Sequence, residues 1–209
     1  MTSGPEHLDA SPLRPHEELA LHGERVAAPS ARSSFAIVLF VAIGIASGLV
    51  ALFTLGESAG IDLSLPLTAA GVAVVCYLAA TATGIRWMAW AWVGISTVIV
   101  VLAELVDVPR LLALVVTGAI LAAIAFARRR DEAFRQTAVA LVYLVAGTLA
   151  VLVDPRLGLA IAGLALAAHA AWDVVHVRRD AVVSRSLALW CIGIDLTVGI
   201  GCLAAALLV

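Results

Sequence analysis

The chain contains no lysine; all 13 of its basic residues are arginine. That absence excludes a retinal Schiff base and any other chemistry built on a lysine amine. Charge of either sign is scarce: 13% of residues are charged and 63% are hydrophobic, against roughly 25% and 45–50% in an average soluble domain. A soluble chain of 209 residues needs a polar exterior that the sequence after Ser34 does not supply. Cysteine is sparse, and Cys76, Cys191 and Cys202 all fall in apolar runs without CxxC spacing, which argues against a disulfide framework. A Walker loop, a Rossmann glycine cluster and a HExxH helix are missing too, so the common soluble-enzyme signatures do not apply. No nucleic-acid partner is expected, because the net charge is -2 and the arginines are accounted for by membrane topology.

What is present reads as an all-α, polytopic membrane bundle whose main partner is the lipid bilayer. Apolar runs of about 18 residues or more read as bilayer spans. Seven are drawn, at 35–55, 65–85, 87–106, 110–127, 137–153, 157–177 and 187–209. Residues 1–33 mix Pro, Ser, Glu and His without an apolar face and read as a disordered cytoplasmic tail, not a signal peptide; residues 34–209 form the transmembrane domain. Orientation follows from arginine. With the N-terminus cytoplasmic, the inner segments hold Arg14, Arg25, Arg32, Arg86, Arg128, Arg129, Arg130, Arg135, Arg178, Arg179 and Arg185, and the outer ones only Arg110 and Arg156. Positive residues collect on the inner side, and an odd number of spans preserves the bias. Trp87, Trp90, Trp172 and Trp190 then fall near the inner interface, where amphipathic rings gather. Arginine-only, alanine-rich usage fits a GC-rich bacterial genome, so the expected location is a bacterial plasma (inner) membrane.

The spans contain a repeat. "LAELVDVPRLLALVVTGAILAAIAFARRRD" (102–131) aligns with "LAVLVDPRLGLAIAGLALAAHAAWDVVHVRRD" (149–180), and "LPLTAAG" (65–71) hints at a third copy. Each unit is a helical hairpin whose second helix starts at a proline, where the missing N–H costs little. Parallel repeats of this kind are one route by which small transporters are assembled.

The repeat isolates the unusual residues. Setting Gly118 over Gly163 places His169 where the other copy has Ile124, Asp173 at Arg128 and His176 at Asp131. His169 is therefore no general property of the hairpin, while Asp173 and His176 fall where the other copy reaches the interface. At 100° per residue the three share a face about 60° wide, which continues through the small residues Ala165, Ala162 and Gly158. Asp195 is the charged residue within the last apolar run, and a carboxylate there costs about 2.5–3.5 kcal/mol on insertion scales. The loop before that helix is centred near residue 182, so in an antiparallel pair Asp195 lies level with His169, within hydrogen-bonding reach. Ala188, Cys191, Gly199 and Cys202 share its stripe. Glu104, which replaces Val151 of the other copy, is a further carboxylate near the outer surface.

Three functions are compatible with this pattern. One is a non-catalytic bundle or partner subunit, either homo-oligomeric or bound to another membrane protein, in which His169 and Asp195 fix helix register. A second is proton- or ion-coupled handling of a small solute, with His169, Asp195 and Glu104 as the buried polar or proton-handling groups. The third is a metal-dependent intramembrane hydrolase, in which His169, Asp173 and His176 hold zinc or another divalent metal and Asp195 serves as ligand or base. The seven-span topology with this spacing resembles the seven-helix membrane hydrolases related to alkaline ceramidases, and the resemblance implies a zinc amidase. That family uses three histidines; this chain places two near the membrane.

Overall fold

A computed structural model describes residues 31–55 and 63–208. Tail residues 1–30, on which most of the disorder reading falls, lie outside the described residues, as do Arg14 and Arg25. The described chain is all α-helical: α1 (Ala31–Leu55), α2 (Ser64–Thr83), α3 (Met88–Leu105), α4 (Arg110–Arg128), α5 (Arg130–Leu152), α6 (Pro155–Arg179) and α7 (Arg185–Leu208). All seven are long and apolar enough to cross a membrane.

Local chemistry sets the helix ends. At the start of α6 the Asp154 carboxylate accepts the Leu157 N–H at 3.2 Å, and Pro155 follows where its missing donor is harmless. Its last turn carries Arg178 and Arg179, favourable beside the carbonyl end of a helix. α2 stops at Gly84, whose φ of 71° suits a residue without Cβ and whose N–H returns to Ala80 O at 2.8 Å. α5 begins at Arg130, seven residues before the span drawn at 137. Asp131 and Glu132 account for the extension, because acidic groups stabilise a helix N-terminus. Polarity that reads as a loop in the sequence is helix, and Gln136 is carried into the bundle.

Contacts across the helix ends give the arrangement. Arg86, between α2 and α3, reaches Asp180, between α6 and α7, through both guanidinium nitrogens, one of them at 3.2 Å, and donates to Val183 O. The hydrogen bond and charge of Arg86 hold the Asp180 carboxyl below its ordinary range. Arg128 of α4 donates to Ala82 O of α2 at 3.5 Å. These arginine-bearing ends therefore gather at one end of the bundle. At the other, a Cβ on Gly158 of α6 would strike Ala150 O of α5 and approach Leu63. Helices consecutive in the chain run antiparallel, while α2 and α4, and α1 and α7, pack in parallel.

Between lipid-facing helices there is little hydrophobic drive to associate, and small residues that admit close backbone approach take its place. The α6–α7 contact shows this. A Cβ on Gly163 would sit 2.8 Å from Gly199 O, and one on Gly199 would sit 3.0 Å from Gly163 O. The stripes Gly158–Ala162 and Ala188–Cys191–Gly199–Cys202 are buried in such contacts. α1 meets α7 in the same way, Gly44 against Gly193, with Trp190 Nε1 donating to Ser47 Oγ at 3.2 Å. α2 is the most enclosed helix, 56% buried against 11% for α5. Its face Val75–Ala82 packs against both α4 and α7, so a polar group on it has nowhere to go but the interior.

Candidate functional site

Four helices converge on His169. It lies on α6, 2% exposed, and its Nδ1 is 2.7 Å from Asp195 Oδ2 of α7, the pair that the antiparallel register predicts. The close Gly163–Gly199 packing lies between these residues and the opposite end of the bundle and holds α6 and α7 near enough for the bond. One turn along α6, Asp173 is fully enclosed. Its Oδ1 accepts a short hydrogen bond from the Tyr77 hydroxyl of α2, while Oδ2, 3.4 Å from His169 Nδ1, has no hydrogen-bond partner among the described residues. The rings of Tyr77 and of Tyr143 (α5) meet the imidazole edge to face, with centroids at 5.7 and 5.3 Å. His169 is thus held between two carboxylates and two phenol rings.

His176, a turn nearer the arginine-rich end, is also buried but belongs to a separate chain of contacts. Its Nδ1 is 3.0 Å from the Trp172 carbonyl. A carbonyl only accepts, so Nδ1 carries the proton, and Nε2 accepts from Gln136 Nε2 at 3.3 Å. The same Gln136 nitrogen donates to Glu132 Oε1 at 2.9 Å, and Glu132 pairs with Arg135 near the surface. A pocket of about 170 Å³ opens here, lined by Glu132, Gln136, His176 and Arg179 among others. Deeper in, a space of about 10 Å³ lies among Tyr77, Gln136, His169 and Trp172, close to the volume one water requires. Trp172 Nε1, buried nearby, has no hydrogen-bond partner among the described residues.

Several expectations change on this geometry. Asp173 and His176 are enclosed by the bundle; α6 stays helical to Arg179, and Tyr77 and Gln136 cover the face that the repeat comparison leaves at an interface. The metal-ligand set His169, Asp173 and His176 does not form. Both ring nitrogens of His176 are engaged elsewhere, and the donors that come within 4.8 Å of one another belong to His169, Asp173 and Asp195. One nitrogen and two carboxylate oxygens suit a divalent cation chemically. Glu104 is not a buried proton-handling group: its side chain is 55% exposed and pairs with Arg110 at 2.9 Å. At the end of α3 it reaches outward, as long charged side chains at helix ends do.

Sequence reasoning missed Tyr77, Tyr143 and Gln136. Scarcity was the available signal, since the chain has two tyrosines and one glutamine, and all three meet the buried histidines. Comparison with known proteins gives no matching family model, and no curated protein or solved structure matches the chain.

The electrostatics decide what the cluster can do. Two ionised carboxylates and a protonated imidazole leave one net negative charge in a dry interior; one further proton makes the group neutral. Neither unpaired charge is tolerated cheaply there. Tyr77 supplies a hydrogen bond to one carboxylate, and His169 and Asp195 share a hydrogen bond at 2.7 Å.

Proposed function

We propose that this chain is a multi-pass protein of a bacterial plasma membrane, with its arginine-rich end cytoplasmic, that binds and releases protons at the His169–Asp195–Asp173 cluster and couples them to the handling of a small solute. The observation that carries the reading is one buried imidazole nitrogen facing two buried carboxylates. Structural polar pairs need one donor for one acceptor; here an acceptor oxygen is left over. The groups that face the imidazole are Tyr77 on α2, Tyr143 on α5, Asp173 on α6 and Asp195 on α7, with His176 and Cys191 beside them.

The 170 Å³ pocket and the water-sized space supply the proton route. It runs from Glu132 past Gln136 to the edge of His169. The pocket opens beside Arg135 and Arg179, so exchange through the arginine-rich end is the favoured direction.

Proteoliposomes with an internal pH dye test this. The wild type is expected to move protons in response to a pH step, and Asp195→Asn, purified as a monodisperse protein, to do so at least tenfold more slowly. Equal rates would reject the proposal. They would favour the non-catalytic bundle, in which the same residues serve only to set helix register.

A further inference from the structure

A cavity of about 380 Å³ lies between α2, α4 and α5 in the half of the bundle away from the arginine-rich end. Leu67, Gly71 and Val74 line it from α2, Leu111 and Val115 from α4, and Ala140 to Leu152 from α5. Gly71 and Gly147 make the room, since a Cβ on Gly147 would stand 3.4 Å from Leu67 and one on Gly71 would stand 3.0 Å from Leu114. Its outer margin, Leu112, Val115 and Leu152, is exposed on the lipid-facing surface.

Two features identify the occupant. The first is shape. From Ala140 to Leu152 the helix rises about 18 Å, so 380 Å³ averages about 21 Å² in cross-section, the width of one extended hydrocarbon chain. The second is the distribution of polar groups. Thr148 Oγ1 is satisfied by Leu144 O at 2.8 Å. Tyr143, at the inner end, has a hydroxyl with no hydrogen bond among the described residues, and its ring lies against His169. Val74 and Ala140 line both this cavity and the water-sized space beside His169. The inner end is therefore one aromatic ring from the proton cluster.

We infer that the solute is a single-chain amphiphile, a long-chain alcohol or acid, that enters sideways from the bilayer and places its oxygen on the Tyr143 hydroxyl with its chain along α5. A charged headgroup is excluded by the apolar lining, so an acid occupies the cavity protonated. A bound acid that gives up its proton does so where His169 and Asp195 take it up, and its carboxylate then leaves the apolar cavity; an alcohol binds there without supplying a proton. The inference deepens the proton reading and rests on it for that coupling step alone.

The test uses the full chain in lipid nanodiscs and hexadecanol bearing a diazirine at mid-chain, with the photo-adducts mapped by peptide mass spectrometry. Adducts are expected in 67–74, 111–115 and 140–152, and excess unlabelled hexadecanol or palmitic acid should suppress them. Gly147→Leu, which fills the cavity, should reduce labelling about tenfold. Tyr143→Phe should weaken hexadecanol competition about fivefold, the value of one hydrogen bond, and leave competition by hexadecane unchanged. Adducts spread evenly over the lipid-facing residues of α1 and α3, or unaltered labelling in Gly147→Leu, would overturn the inference. Labelling is read at equilibrium without proton flux, so its failure and the failure of the Asp195→Asn flux test are separate results.

Discussion

The hairpins α3–α4 and α5–α6 align in sequence yet differ in what surrounds them. At the aligned positions Ile124 is 39% exposed and His169 is 2% exposed. The cause is the next helix. α6 has α7 packed along it through Gly163 and Gly199, whereas α4 turns Gly118, Leu121 and Ala125 to α2 and leaves Ile124 outside that contact. In the first hairpin a carboxylate reaches solvent and pairs with arginine, as Glu104 does with Arg110. In the second, Asp173, like Asp195 of the covering α7, has no such exit; Asp195 faces His169, and Asp173 takes a hydrogen bond from Tyr77. The same kind of residue is ornamental in one hairpin and structural or functional in the other, depending on whether another helix covers it.

That contrast sets the order of mutational effects. His169→Leu should be the most damaging single change, because it strands two buried carboxylates. A loss of about 3–5 kcal/mol is expected for breaking a buried pair from one side, read as thermal stability in detergent. The triple change of His169, Asp173 and Asp195 to leucine should be milder than His169→Leu alone, since no charge is left unmatched; a triple variant less stable than the single would break the contrast. Tyr77→Phe removes one hydrogen bond to a carboxylate and should cost about 1.5–3 kcal/mol. Glu104→Gln, its counterpart in the first hairpin, should cost at most about 1 kcal/mol, with proton movement unaltered. Smallest is the Arg86–Asp180 clasp. The Asp180 carboxyl is lowered by Arg86 in the folded protein, so its contribution is present above the ordinary carboxylate range and is lost as pH falls through the lowered value. Arg86→Gln should remove this acid-side component of the melting curve, along with the hydrogen bond to Val183 O.

Much of the architecture was legible because long apolar runs and arginine placement report directly on helix and end. His169 and Asp195 were legible because two sequence segments that align, and a short loop between antiparallel helices, give register. The rest was not, for physical reasons. Tyr77 and Tyr143 come from helices far from α6 in sequence, and a period of 3.6 says nothing about which distant helix packs where. Gln136 was hidden by its own neighbours, since Asp131 and Glu132 mark a loop in composition but stabilise the first turn of α5. Asp173 looked interfacial from its aligned partner Arg128, and only the covering α2 makes it interior.

The most direct measurement is the protonation state of His169 itself, by nitrogen-15 NMR of histidine-labelled protein in bilayers, with His7, His16 and His22 replaced by glutamine and His176 assigned separately. The His169 ring is expected to change protonation within the pH range over which the protein stays folded, and Asp195→Asn to shift the transition. A His169 ring that holds one state across that range, and does so equally in Asp195→Asn, would contradict the proposal.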